Sequence, residues 1–301
     1  MYERILVPLD GSEAAEAALA YVALLPSQQV RLLAVESDQA DLTAVCTAAR
    51  DCKAYLEAVA ARLREQGRDV DTLMAFGNPA KQIITLAAAT DLVVMGSHGH
   101  GGVRRFVLGS VADEVARHAS VPVMIVRRGP EVAPAVQLTR IVVPLDSSEL
   151  AEQAVPVAAA LAADLGVPVH LLRVLDLDAL RATVQAGIHA AAAYMRSQET
   201  LQRYAEEYLA EQAQELRNRD LTATSEVLTG SPAVTLLDAI RPDDLVVMTT
   251  HARGGVRRML LGSVADKLVR AAVAPVLLVR ATGPESATPG DEPRGSTGES
   301  T

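Results

Sequence analysis

The sequence of 301 residues predicts an α/β protein of two consecutive domains, each a five-stranded parallel sheet flanked by helices. Three observations lead there. Short apolar runs alternate with amphipathic stretches, the pattern of parallel strands joined by helical crossovers. The pattern is written twice, since R-I-L-V-P-L-D-G-S-E (residues 4–13) returns as R-I-V-V-P-L-D-S-S-E (residues 140–149). The length is comfortable for two cores and long for one.

In the first half the strand candidates are residues 5–9, 30–35, 70–75, 92–95 and 121–126. Their β-branched and leucine residues run on without alternation, which suits strands covered on both faces. Helices are expected between them over 13–25, 43–66, 79–89 and 110–118. The second half repeats the landmarks. D-L-V-V-M-G-S-H-G-H-G-G-V-R-R-F-V-L-G-S-V-A-D (91–113) returns as D-L-V-V-M-T-T-H-A-R-G-G-V-R-R-M-L-L-G-S-V-A-D (244–266), and G-N-P-A (77–80) as G-S-P-A (230–233). The period exceeds that of a solenoid, so this is a duplicated domain. The offset grows from 136 residues (Arg4 to Arg140) to 153 (Asp113 to Asp266). Most of the extra chain follows V-H-L-L-R-V-L (169–175), where an insertion between the second strand and second helix is expected. The expected divisions are a first domain over 1–128, a linker over 129–138, a second domain over 139–281 and a tail over 282–301. The tail's Gly, Pro, Ser, Thr and Glu bury too little to offset ordering entropy, so disorder is expected there.

Composition narrows the function classes. Aromatics make up 3 % with no Trp, which leaves Ala, Val and Leu to pack helices on strands and gives few stacking platforms for bases. A net charge of −9 disfavours a nucleic-acid partner. The first ten residues lack the charge-then-apolar pattern of a signal peptide, and no run reaches the roughly 18 apolar residues of a membrane span. No membrane partner is expected. Cys46 and Cys52 fall on different faces of an expected helix, as reduced thiols of a cytoplasmic protein.

Ligands of open parallel sheets sit beyond the carboxyl ends of the strands, and both repeated motifs fall there. Asp10 follows the first strand, either as the N-cap of the next helix or as a carboxylate for nucleoside hydroxyls or an amine. The glycines after the fourth strand either let backbone amides approach a phosphate ahead of a helix N-terminus, or form a turn into a capping-box start at Ser110-Val111-Ala112-Asp113. His98 and His251 occupy equivalent places, beside a ligand or in solvent. Arg104-Arg105 and Arg257-Arg258 either neutralise phosphates or form a wet surface. There is no G-x-x-x-x-G-K-[ST], no G-x-G-x-x-G after the first strand, no G-x-S-x-G, no H-E-x-x-H and no C-x-x-C. No catalytic residue and no protein-built metal site is expected.

At these residues the sequence resembles the universal stress protein family, twice over residues 3–280. The first-strand R-I-L-V-P-L-D-G-S, the D-L-V-V-M-G-S-H-G segment, the spacing Gly96-x2-Gly99-x9-Gly109-Ser110 and the closing V-P-V-M-I-V-R carry the likeness. The resemblance implies Rossmann-like domains of the adenine nucleotide alpha hydrolase type, with sheet order 3-2-1-4-5. It also implies ATP binding. Pro8, Asp10, Val35, Met95, Gly96, Ser97, His98, Gly99, Gly109, Ser110 and Val111 would form the first site. Pro144, Asp146, Val174, Met248, Gly262, Ser263 and Val264 would form a weaker second one. Thr249 and Ala252 replace the first two glycines there, and a Cβ at either place is expected to narrow or close the site and to strain a left-handed backbone. The last strands (121–127 and 275–280) are expected to meet in an intramolecular pseudo-dimer, with a homodimer left open.

The expected function is an ATP-binding stress-response sensor or regulatory module, with any Mg²⁺ arriving on the nucleotide and ATP hydrolysis slow at most. Two alternatives stand beside it: a slow ATPase or nucleotidyl-transfer enzyme, and an interaction scaffold without nucleotide.

Overall fold

The computed structural model describes residues 2–36, 42–97, 108–127, 136–176, 188–250 and 261–281, with side chains described from residue 50 in the second helix and from 198 in its counterpart. The first half runs β1 (Arg4–Pro8), α1 (Glu13–Leu24), β2 (Gln29–Glu36), α2 (Leu42–Glu65), β3 (Asp69–Phe76), α3 (Pro79–Ala87), β4 (Leu92–Gly96), α4 (Ser110–His118) and β5 (Val123–Val126). The second runs β6 (Arg140–Pro144), α5 (Glu149–Glu152), α6 (Ala154–Leu165), β7 (Val169–Leu175), α7 (Ile188–Arg217), β8 (Ala223–Thr229), α8 (Pro232–Ala239), β9 (Asp244–Thr250), α9 (Ser263–Ala271) and β10 (Val276–Arg280).

All ten strands join one sheet in the order β3-β2-β1-β4-β5-β10-β9-β6-β7-β8. Each half is parallel and carries the expected 3-2-1-4-5 order. The seam between halves is antiparallel, with Val276 opposite Ile125, Leu277 opposite Met124 and Leu278 opposite Val123. The anticipated meeting of the last strands is therefore an intramolecular pseudo-dimer within one continuous sheet. Pro122 and Pro275 precede these strands, and their carbonyls accept from Val93 and Val246 at 3.0 Å, extending both ladders.

Side chains alternate across the sheet and feed two apolar layers. Ile5 and Val7 point to the layer under α1, α2, α6 and α7, while Leu6 points to the layer under α3, α4, α8 and α9. Both layers continue from one half into the other. The aspartates that open D-L-V-V-M brace the amino ends of neighbouring strands. Asp91 accepts from the Arg4 amide at 2.8 Å, and the fully buried Asp244 holds the Arg140 guanidinium at 2.6 Å.

Two features of the seam reinforce the strand pairing. Asp113 and Arg117 of α4 pair with each other at 2.8 Å and cross to Arg270 at 3.0 Å and Asp266 at 3.4 Å of α9. Arg280 reaches across to the Ala116 carbonyl at 2.7 Å, in the last turn of α4, where a cation complements the helix dipole.

The insertion expected ahead of the second helix divides differently in the structure. The counterpart helix α7 begins at Ile188 and runs 30 residues against 24 in α2, so part of the added chain lengthens the helix. Residues 177–187, the linker stretch 128–135 and the tail 282–301 lie outside the described residues.

Candidate functional site

The candidate site is assembled at the carboxyl ends of the strands. After Pro8, the Leu9 amide still donates to the Leu33 carbonyl at 2.8 Å, and the chain then turns away. Asp10 Oδ1 accepts from the Ser12 amide at 3.0 Å and the Ser12 hydroxyl at 2.6 Å. Ser12 Oγ in turn accepts from the Ala15 amide at 3.1 Å and is the N-cap of α1. The N-cap reading of Asp10 is thus corrected: Asp10 fixes the capping serine from the strand side. The second half repeats this, with Asp146 holding Ser148 at 3.0 and 2.6 Å and Ser148 capping α5. The intervening residue has positive φ in both turns, 79° at Gly11 and 65° at Ser147. Ser147 accepts a bond from Arg173, whose guanidinium lies 5.6 Å from the centre of the Tyr208 ring.

At the end of β4, packing alone gives a reason for Gly96. A Cβ placed there would come within 2.9 Å of the Ala14 carbonyl carbon and of Ala15 Cα, and closer still to the Ala14 oxygen. The backbone of α1 therefore excludes any side chain at Gly96, with or without a phosphate nearby. Ser97 is buried and pins the neighbourhood, its amide donating to the Val126 carbonyl and its carbonyl accepting from the Gly109 amide, both at 2.8 Å.

Gly109 is the N-cap of α4 at φ −61°, and Gly262 is the N-cap of α9 at φ −57°. Any residue adopts these angles, so glycine is not required for its freedom here. What it contributes is the lack of a side chain that would occupy the first helical amides. Neither helix has a side-chain cap. The capping-box reading is corrected as well, because Asp113 turns to Arg117 and Arg270 at the seam. An uncapped N-terminus keeps donors and the positive helix end for an anion.

In the second half these parts enclose a cavity of about 280 Å³. All seven expected residues, Pro144, Asp146, Val174, Met248, Gly262, Ser263 and Val264, line it. Leu150, Ala151, Leu172 and Leu236 are further walls that sequence reading did not assign. Leu150 stands where the first half has Ala14, so the doubled sequence held that signal. The left-handed strain expected at Thr249 is absent, since it sits in regular extended β9 paired with Val279, and its side chain forms one wall of the cavity.

In the first half Pro8, Asp10, Val35, Met95, Gly96, Ser97, Gly109, Ser110 and Val111 occupy the equivalent places, with Val35, Met95 and Val111 packed on one apolar layer. His98, Gly99, Arg104-Arg105, His251, Ala252 and Arg257-Arg258 lie outside the described residues. Among the described residues no group of three or more His, Cys, Asp or Glu is placed to hold a metal, and no helix is long and apolar enough to cross a membrane. Cys52 donates to Glu36 Oε1 at 2.6 Å, and burial together with that carboxylate pushes its thiol up to about 11. A thiol so held is a poor nucleophile.

The comparisons with known proteins agree with this architecture. The model described as "Universal stress protein family" matches residues 1–127 and again 137–280. A universal stress protein of Mycobacterium tuberculosis is 30% identical over 213 residues, covering 70% of this chain and 69% of its own. One of Mycolicibacterium smegmatis is 30% identical over 216 residues, covering 71% and 70%. The crystal structure of a universal stress protein from Archaeoglobus fulgidus superposes with a TM-score of 0.69 at 20% identity, covering 92% of this chain and 98% of that one, a likeness of fold. Two matches in tandem, on two halves of one sheet, place the chain in the universal stress protein family.

Proposed function

We propose that this protein is an ATP-binding stress-response regulator working in the cytoplasm, with the first half as its main nucleotide site. The observation that carries the reading is the uncapped N-terminus of α4, at the same sheet end as the Asp10 carboxylate and the apolar faces of Val35 and Met95. An adenine ring would lie against Val35 and Met95, the ribose would reach Asp10, and the phosphates would meet the amides of Gly109, Ser110 and Val111. Mg²⁺ would be carried by the phosphates.

The described residues supply binding groups for such a ligand and no activated nucleophile or poised base beside them. Rapid phosphoryl transfer needs positioned charge and an oriented nucleophile. A sensor whose state follows nucleotide occupancy fits better than a high-turnover enzyme. Calorimetry with ATP tests this. Binding at one site, weakened by Asp10→Ala, is expected, and saturation at ~100-fold over Kd should add about 2.7 kcal/mol to stability. An unchanged melting temperature, no heat of binding and no adenine nucleotide in the purified protein would favour the scaffold.

A further inference from the structure

We propose that His170 is the proton-taking element of an acid-responsive switch in the second half, where its protonation in mild acid loosens the edge strand β8. The device lies at the amino ends of the strands, away from the cavity at their carboxyl ends.

β8 ends the sheet and has β7 as its one neighbouring strand. Thr224, Ser225 and Glu226 are exposed along it. His170 of β7 stands opposite Thr224 in the ladder and is only 9% exposed. Its Nδ1 is 2.8 Å from the Thr224 hydroxyl, and its Nε2 is 3.4 Å from Glu226 Oε2. In the first half Arg31 holds the place of His170 and Asp71 that of Thr224, and the two pair at 2.7 Å. The second half thus keeps a basic side chain in its second strand and puts a neutral threonine where the carboxylate stood. Arg31–Asp71 stays charged throughout the neutral and mildly acid range, whereas a histidine changes charge within it.

The other groups on this face do little to balance a second cation. From β6, Arg140 brings a positive charge of its own. From β9, the fully buried Asp244 brings a carboxylate, but its oxygens already accept from Arg140 at 2.6 and 3.0 Å and from the Arg241 amide at 2.7 Å. Asp243 beside it takes the Thr139 hydroxyl at 2.7 Å, and the Arg241 side chain is exposed. α8, packed over this face, gives its Ala239 carbonyl to Arg140, and its one charged side chain, Asp238, is exposed. α6 and α7 cover the opposite face of β7. Glu226 of β8 is then the carboxylate that meets a protonated His170, and its side chain is 54% exposed, where water weakens the pairing.

Burial, and after it the Arg140 guanidinium, push the His170 imidazole below its usual range against the pull of Glu226 and Asp244. A folded value below the unfolded one gives stability that is complete above about pH 6.5 and is lost as pH falls through the lower folded value. The loss falls where His170 and Thr224 meet, on a strand held from one side only. β3, the other edge of the sheet, carries the Arg31–Asp71 pair and serves as the internal control.

Hydrogen exchange of the full chain, corrected for the intrinsic pH dependence of exchange, tests this by comparing β8 with β3 at about pH 7.5 and about pH 5.5. Protection of the β8 amides should fall in acid by at least about threefold, bounded at roughly tenfold per pH unit by uptake of one proton, while that of β3 holds. His170→Gln, which stays neutral, should remove the fall, and its β3 protection reports that the variant is folded. Titration of the His170 imidazole by NMR in the native chain should place it below an unfolded-chain histidine, a reading that does not depend on the variant. An equal fall in β8 and β3, a fall that persists in His170→Gln, or an imidazole titrating at or above the unfolded-chain value would each overturn the proposal.

Discussion

The two halves share their motifs and differ in what those motifs meet. At the end of the fourth strand, Gly96 lies under the first turn of a continuous α1, while Thr249 faces a cavity beside the short α5. After the first strand, Gly11 takes the positive-φ position in one half and Ser147 in the other. Within the second strand, Arg31 pairs with Asp71 at 2.7 Å, whereas His170 meets Thr224 at 2.8 Å. A duplicated sequence therefore carries the backbone frame faithfully while side-chain environments drift. A residue's role has to be read from its neighbours in space. At Gly96 in the first half, helix packing by itself requires a glycine.

Exchanging these residues gives the largest expected effect. Gly96→Thr drives a branched side chain into helix backbone that cannot rotate aside, and should cost about 3 kcal/mol or more, the upper end of overpacking penalties. Thr249→Gly removes a side chain from an open wall and adds glycine entropy within a strand, at about 1 kcal/mol. Denaturant unfolding of the two single variants measures the difference. Similar losses would mean that the two strand ends are equivalent after all.

One part of the seam is alike in the two halves. Asp113 and Asp266, with Arg117 and Arg270, form a ring related by the internal duplication. The hydrogen-bonded guanidinium of Arg117 holds the Asp113 carboxyl below its usual range against the opposing effect of burial, and Arg270 adds a smaller pull in the same direction. A carboxylate with a lowered folded pKa contributes stability that is present above its unfolded value near 4 and is lost as pH falls through the lower folded value. Asp113→Asn should therefore cost about 1 kcal/mol or less at neutral pH, the scale of partly exposed ion pairs, and flatten the loss below pH ~4. Asp266→Asn should cost about the same. Thermal melts from pH 7 to 3 check both, and an unaltered acid limb in Asp113→Asn would remove the ring from the account of acid sensitivity.

The fold was legible because its strands are unbroken apolar runs and its helices lie between turn signals. β1, β4 and α4 fall within a residue or so of where the runs put them. The order of strands and the seam came from the family resemblance, since hydrophobic runs do not say which neighbour they choose. The site was legible as a set of places, and less so as a set of roles. Asp10 and Ser12 are both good capping residues two positions apart, and the backbone after Pro8 decides for Ser12. Gly96 could not be explained from its own motif, because the atoms that forbid a side chain belong to Ala14 and Ala15, far earlier in the chain. Thr249 was visible as a departure, but that it lines a cavity depends on residues such as Leu150 and Ala151, about a hundred positions earlier in the chain.

The smallest expected effect concerns the turn after the first strand. A serine at φ 65° pays a steric cost that glycine avoids, of about 1 kcal/mol. Relief of that cost in Ser147→Gly is offset by the greater unfolded-state freedom of glycine and by loss of the bond from Arg173, so its net change should stay within about 0.5 kcal/mol. Gly11→Ser has no arginine to help it, because Ala34 occupies the place of Arg173, and should cost about 1 kcal/mol. If Arg173 is what makes the serine tolerable, Arg173→Ala will cost less in the Ser147→Gly background than alone, the non-additivity expected of residues in contact. Strictly additive losses would show that the serine turn holds its shape without the arginine, and that the two turns differ only in strain.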